Sequence, residues 1–109
     1  MIEHLHIAVR GQGLHAFTAK VRDVVTRSGQ REGLCTLFIR HTSARLLIQE
    51  NYDDSARLDL ENWLNRLVPE NDSLYTHTLE GPDDMPAHIK SALTATQLSI
   101  PFAAGELLL

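Results

Sequence analysis

Residues 34–41 constrain the fold more than any other segment, because both sides of the strand that they predict are partly apolar. One side carries Leu34, Thr36, Phe38 and Arg40, and the other carries Cys35, Leu37, Ile39 and His41. Apolar residues on both sides are typical of a strand inside a sheet, so we predict a central strand. We expect Cys35, which is the only cysteine, to be a buried apolar residue and not a nucleophile. A single cysteine also excludes an internal disulfide and a cysteine-based zinc finger.

Strands and helices alternate along the rest of the sequence. Period-two patterns predict strands over residues 2–9, 14–17, 45–50 and 74–79, and a closing hairpin of 98–101 with 106–109 around Gly105. Helical spacing predicts a first helix from Thr18 to Gly29 with Val21, Val24 and Val25 on one face. A second helix follows the caps Asp53, Asp54 and Ser55, and ends at Pro69; its apolar face is Ala56, Leu60, Trp63, Leu64, Leu67 and Val68. A third begins at the cap Asp84 with Pro86 in its first turn, and we expect Ile89, Ala92, Leu93 and Thr96 to face inward.

Size and charge limit the classes of function. The 109 residues are enough for one domain, which we predict to span residues 1–109. No apolar run approaches the ~20 residues that cross a bilayer, and the N-terminus does not resemble a signal peptide, so we expect a cytoplasmic protein with no membrane partner. Residues 1–45 contain seven basic and three acidic residues, whereas residues 50–84 contain two basic and ten acidic residues. This distribution does not favour nucleic acid as a partner, and the acidic half is either a solvated surface or part of a cation site.

Three of the six histidines lie at the ends of predicted elements, where functional groups are common. They are His41, His77 and His88. Three neutral imidazoles with an open fourth position would form a catalytic type of metal site. Because 36 and 11 residues separate them and no compact motif joins them, the spacing alone favours three ordinary polar histidines. Ser43 shares a strand face with His41, which would suit a nucleophile with its base, but the glycines of a nucleophile elbow are missing and a hydrogen-bonded strand end is favoured.

Several sequence blocks resemble one known family in the same order along nearly the whole chain. They are Gly13-Leu14-His15, His41-Thr42-Ser43-Ala44, Ile48-Gln49-Glu50-Asn51, Arg57-Leu58-Asp59-Leu60-Glu61, Val68-Pro69-Glu70-Asn71, Tyr75-Thr76-His77-Thr78-Leu79-Glu80-Gly81, Asp83-Asp84-Met85-Pro86-Ala87-His88-Ile89-Lys90 and Leu98-Ser99-Ile100-Pro101. These blocks are similar to the YjbQ family. The resemblance implies an α+β fold of mostly antiparallel, sandwich-like sheets flanked by helices, assembled as a homotrimer.

The resemblance also implies an activity. The family is described as secondary thiamine-phosphate synthases, which join hydroxymethylpyrimidine diphosphate to thiazole phosphate and release pyrophosphate. We therefore expect a small phosphorylated substrate. Because this synthase activity is weak and is known as a secondary one, it leaves the physiological substrate open. Two alternatives remain, which are a non-catalytic metal- or anion-binding trimer and an inactive truncated remnant.

The site residues follow from the matching positions. We expect His41, His77 and His88 to bind a divalent metal, either Zn or Mg, and Lys90 to contact phosphate. The expected catalytic residues are His41, Ser43, Glu50, Asn51 and Asp84. Glu50, Asp83 or Asp84 would support the metal or orient an imidazole, and a metal or an imidazolium cluster would neutralise the departing pyrophosphate.

The sequence departs from the family pattern at a few positions. Arg45, Ala95 and Gln97 stand where the family usually has small residues or glycine. The chain ends in the apolar run Leu107-Leu108-Leu109, whereas the family continues with further strands. We therefore expect a C-terminally truncated domain with an open sheet edge.

Overall fold

The structure is a computed structural model that describes residues 1–49 and 52–109. The described residues form three α-helices and three β-strands, which confirms an α+β fold. In chain order these are α1 (Thr18–Ser28), β1 (Gly33–Phe38), α2 (Asp54–Leu67), α3 (Asp84–Ala92), β2 (Gln97–Ala103) and β3 (Glu106–Leu107). The chain divides into two compact units, of which one comprises Met1–Leu37 with Ser99–Leu109 and the other comprises Phe38–Leu98.

The first unit is built around one face of α1. Val21 and Val25 are one helical turn apart and are both buried, as the helical spacing predicts. They form the core with three residues of the C-terminal hairpin, namely Ile100, Phe102 and Leu107. Gly29 ends the helix in the left-handed conformation, at a φ of 70°, and its N–H donates to the Thr26 carbonyl.

The hairpin of β2 and β3 is the most regular part of the sheet and confirms the predicted closing hairpin. Phe102 pairs with Leu107 and Ala103 with Glu106, so the loop contains only two residues. Both of these have positive φ angles, 53° at Ala104 and 78° at Gly105, which define a type I′ turn. The strand order is β1-β2-β3, and the contacts of Thr36 with Ser99 and of Ile39 with Thr96 show that β1 runs antiparallel to β2.

Strand β1 forms where it is predicted, but its central position in a sheet is wrong. Among the described residues it pairs with β2 on one side only and lies at an edge of the sheet. On one side of β1, Leu34 and Phe38 are 62% and 66% exposed, whereas Cys35 and Leu37 on the opposite side pack against the core. Cys35 is only partly buried there, and this burial raises the pKa of its thiol.

In the described part of the chain, which leaves out residue 50, four other predicted strands are not formed. Residues 2–9 form no ladder with another described segment, although Leu5 and Ile7 are more buried than their neighbours and keep the predicted alternation. Residues 14–17 lead directly into α1, with Phe17 as its N-cap. The strand over 45–50 is reduced to one bridge between Leu46 and Ala95, which no further described pair extends. Residues 74–79 are irregular between turns at Leu74 and Leu79, and the carboxylate and carbonyl oxygens of Asp72 accept the N–H groups of Leu74 and Tyr75.

The second unit contains α2 and α3. Asp53 caps α2 as predicted, since its carboxylate accepts the Ser55 N–H at 2.9 Å. The predicted apolar face of α2 is only partly covered, with Trp63 and Leu67 about half exposed, and Val68 just beyond the helix is buried.

Helix α3 begins where it is predicted, but of the residues expected to face inward only Ile89 is partly buried, and Ala92, Leu93 and Thr96 are exposed. Pro86 and Ser91 are the buried residues of this helix, while Leu93 is 59% exposed. Within the described residues, no helix is long and apolar enough to cross a membrane.

Candidate metal centre at the start of helix α3

Two imidazoles and one carboxylate meet at the first turn of α3. Asp84 is the first residue of the helix, and His88 lies four residues later on the same face because an α-helix turns once in 3.6 residues. His77 comes from the turn-rich segment that precedes the helix. The Nε2 atoms of His77 and His88 lie 2.7 Å and 3.2 Å from the same oxygen, Asp84 Oδ2.

The imidazole rings surround the carboxylate from two directions. The ring centroids of His77 and His88 are 5.4 Å apart, and the ring planes are inclined at 71°. The Asp84 side chain is 20% exposed, and those of His77 and His88 are 47% and 34% exposed. The site is thus accessible from solvent while its carboxylate is partly covered.

Electrostatics stabilise the ionised form of Asp84. The hydrogen bond from His77 lowers the pKa of this carboxyl, and the charge of His88 acts in the same direction when that ring is protonated. Desolvation opposes both effects, but the net pKa remains below the ordinary value for aspartate. A carboxylate that stays ionised is suited to bind either an imidazolium or a metal ion.

The distances between these atoms come near to those of a divalent-ion site. One ligand atom from each of His77, Asp84 and His88 lies within 4.8 Å of the others. Zinc bonds of about 2.0–2.2 Å in a tetrahedral site separate neighbouring ligand atoms by roughly 3.3–3.5 Å. The distance of 3.2 Å between Asp84 and His88 is close to that range, and His77 needs to move away from Asp84 by roughly 0.6 Å.

A small cavity of about 200 Å³ adjoins the group of His77, Asp84 and His88, with His77 in its wall. The rest of the lining combines polar and apolar side chains: Asn71, Asp72, Tyr75, Thr78, Gly81, Pro82 and Met85. His77 therefore belongs both to this group and to the wall of the cavity.

His41 and Ser43 form a separate local arrangement. The Ser43 N–H donates to Nδ1 of His41 at 3.0 Å, and the Ser43 hydroxyl lies 3.4 Å from the same nitrogen. Arg45 donates to the carbonyl oxygens of His41 and Ala44. His41 is not a member of the group formed by His77, Asp84 and His88 among the described residues.

Lys90 is held by a neighbouring helix of the same unit. Its Nζ donates to Oδ1 of Asn65 on α2 at 2.6 Å. Partial burial lowers the pKa of Lys90, and the nearby carboxylate of Glu70 opposes this effect. The contact with Asn65 leaves two of the three ammonium hydrogens for another acceptor.

The sequence profile described as "UPF0047 protein YjbQ-like" matches residues 3–109. This chain belongs to the YjbQ family. UPF0047 protein sll1880 of Synechocystis sp. is 52% identical over 105 residues, which cover 96% of this chain and 71% of that protein. UPF0047 protein YjbQ of Escherichia coli O157:H7 is 36% identical over 104 residues, which cover 94% of this chain and 75% of that protein.

Solved structures with this YjbQ fold extend the comparison. The conserved hypothetical protein TT1486 from Thermus thermophilus superposes with a TM-score of 0.78 at 35% identity, over 89% of this chain and 72% of that one. An uncharacterized YjbQ/UPF0047 protein from Clostridium acetobutylicum gives a TM-score of 0.76 at 33% identity, over 84% and 68% of the two chains. The similarity identifies the fold and the family, and these descriptions state no activity.

The predicted site residues of this YjbQ-family chain are thus only partly brought together. His77, His88 and Asp84 form one group, whereas His41 pairs with Ser43 and Lys90 with Asn65. Glu50 and Asn51, two of the predicted catalytic residues, lie outside the described residues. The roles predicted for all of these residues stay predictions.

Sequence reasoning assigned Asp84 a catalytic or supporting role and did not count it among the metal ligands. The spacing of four residues between Asp84 and His88 on a predicted helix was a usable signal for a shared face. No comparable signal links Asn65 with Lys90, because 25 residues separate them.

Proposed function

We propose that this YjbQ-family chain binds a divalent cation through His77, Asp84 and His88, and uses it in a reaction of the thiamine-phosphate-synthase type. The observation that carries the proposal is the convergence of two imidazole nitrogens on one carboxylate oxygen, at 2.7 Å and 3.2 Å. Two nitrogen donors favour Zn²⁺ over Mg²⁺, which prefers an octahedral set of oxygen ligands. Three protein ligands leave a position for a substrate oxygen.

The reaction suits a cation next to a small cavity. A bound cation would neutralise negative charge on the diphosphate as pyrophosphate departs. Before a cation binds, Asp84 holds both imidazoles in place, because its Oδ2 is within hydrogen-bond reach of both Nε2 atoms. A bound cation would replace these contacts and release the Nε2 protons. Lys90 has two free ammonium hydrogens and would contact a phosphate oxygen of a substrate bound nearby. The proposed substrates are therefore small phosphorylated molecules in the cytoplasm.

The first test is zinc content after gel filtration of the full chain, in the wild type and in His88→Ala. His15→Ala is a matched control, because it removes an imidazole that contacts the Gly11 carbonyl in the other unit. We expect about one zinc ion per chain in the wild type and in the control, and almost none in His88→Ala. Equal zinc content in all three proteins would refute the assignment, provided that circular dichroism shows that His88→Ala is folded.

The second test is activity of the zinc-loaded chain. Labelled hydroxymethylpyrimidine diphosphate and thiazole phosphate should yield a condensed product and pyrophosphate, and Asp84→Asn should reduce the rate. Zinc binding without product would instead favour the non-catalytic metal-binding alternative. A folded chain with neither zinc nor product would favour the remnant.

A homotrimer is part of the proposal. The edge strand β1 exposes Leu34 and Phe38, and burying such apolar surface against another copy would be favourable. Light scattering coupled to gel filtration should give three times the mass of the chain, and a monomer at micromolar concentration would refute this part.

A further inference from the structure

The hydrogen bond between Ser43 and His41 determines which nitrogen of the neutral His41 ring carries the proton. A backbone N–H group can only donate, so His41 Nδ1 must accept the Ser43 N–H at 3.0 Å with its lone pair. The proton of the neutral imidazole then lies on Nε2. In this conformation Nε2 is a hydrogen-bond donor, and it has no lone pair for a metal ion.

Arg45 gives the same loop a fixed positive charge. One of its terminal nitrogens donates to the carbonyl oxygens of His41 and Ala44, which holds the guanidinium against the loop backbone. Both carbonyls would otherwise repel an anion, and the arginine covers them. The other guanidinium N–H groups make no contact with the described residues beyond this pair, so they are free to donate to a ligand.

We propose that residues 41–45 form an oxyanion-binding loop that takes a phosphate or diphosphate group. The donors are His41 Nε2–H and the free side of the Arg45 guanidinium. Planar guanidinium groups are well matched to phosphate oxygens. This site goes beyond the proposed cation site, because it needs no metal ion and uses none of His77, Asp84 and His88.

The test uses inorganic pyrophosphate and the full chain in a buffer with EDTA, so that failure of the cation site does not affect the result. Calorimetry should show that Arg45→Gln weakens binding about tenfold or more, which is the effect of losing a charged hydrogen bond. Arg40→Gln is the matched control, because it removes the same charge from an exposed neighbouring position. Equal affinities of these two variants would overturn the proposal.

Two substitutions at His41 test the role of Nε2. A glutamine amide reaches about as far as Nε2, so His41→Gln should keep part of the affinity for pyrophosphate. The shorter amide of His41→Asn reaches only as far as Nδ1 and should bind as weakly as His41→Ala. Tighter binding of pyrophosphate by His41→Asn than by His41→Gln would show that Nε2–H is not the donor.

The protonated nitrogen can also be observed directly. Long-range ¹H–¹⁵N correlation spectra of the wild type, recorded at a pH where His41 is neutral, should show the proton on Nε2. The chemical shift of Nε2 should change when pyrophosphate is added. A proton on Nδ1 would overturn the hydrogen-bond argument. A parallel titration with a phosphorylated sugar distinguishes a site for free pyrophosphate from one for an organic phosphate, since only the latter binds both.

Discussion

Gly33 is the position in the first unit where adding a single methyl group should have the largest effect. It lies at the start of β1 with a φ of 157°, a conformation that L-residues rarely adopt. A Cβ atom there would be 3.1 Å from Cζ and 3.3 Å from Cε1 of Phe102, whose ring covers the glycine from the neighbouring strand. Phe102 belongs to the buried core, so its ring has little room to move away.

The expected loss of stability of Gly33→Ala combines two effects. The unfavourable backbone conformation costs about 1–2 kcal/mol, and overpacking of the core typically costs about 1–3 kcal/mol. We therefore expect the free energy of unfolding to fall by roughly 2–5 kcal/mol. For a chain of this size, that corresponds to a decrease in Tm of at least about 10 °C.

Urea denaturation followed by far-ultraviolet circular dichroism measures this loss. Gly11→Ala is the control for the backbone effect alone, because Gly11 has a similar φ of 149° but a Cβ atom there meets nothing within 4 Å. Phe102→Leu, combined with Gly33→Ala, should restore part of the stability relative to the sum of the two single changes. Equal losses for Gly33→Ala and Gly11→Ala, with no coupling to Phe102, would refute the steric argument.

Three further predictions concern the turn, a helix cap and the core. Ala104→Asn should raise the free energy of unfolding by about 0.5–1 kcal/mol, because asparagine tolerates the positive φ of a type I′ turn better than alanine does; a lower midpoint in urea would contradict this. The hydrogen bond from Ser55 lowers the pKa of Asp53, so its contribution to stability is present above the unfolded pKa of about 3.9 and is lost as the pH falls through the lower folded value. Asp53→Asn keeps a capping side chain that does not titrate, so the free energy of unfolding of this variant should fall less than that of the wild type between neutral pH and pH ~3. The same dependence on pH in both proteins would contradict the capping argument. Ile100→Ala should lower the free energy of unfolding by about 2–5 kcal/mol, whereas Leu34→Ala at the exposed edge should change it by less than about 0.5 kcal/mol. Similar losses for the two variants in chemical denaturation would contradict the assignment of Ile100 to the core.

Local signals were sufficient for the elements that local interactions stabilise. Helix α1 ends at Gly29, α2 is capped by Asp53, and the hairpin turns at Gly105, each as the sequence predicts. In these cases, the residues that set the boundary lie next to it in the chain.

Positions in the sheet could not be predicted in the same way, because they depend on partners that are distant in sequence. The apolar residues on both sides of β1 indicate a central strand, yet in the described part of the chain only β2 pairs with it. Similarly, the alternation over residues 2–9 predicts which side is more buried, but no described strand completes a ladder there. In the site, the family resemblance selected His77 and His88, and the helix period places Asp84 beside His88. The contact of His77 with Asp84 depends on turns that the sequence pattern did not predict.

The most direct test of the central claim is anomalous diffraction at the zinc edge from crystals of the full chain grown with zinc. We expect one strong peak that lies about 2.0–2.2 Å from each of His77 Nε2, Asp84 Oδ2 and His88 Nε2. A peak bound to only one of these residues, or a peak at His41 Nε2, would contradict the proposed metal centre.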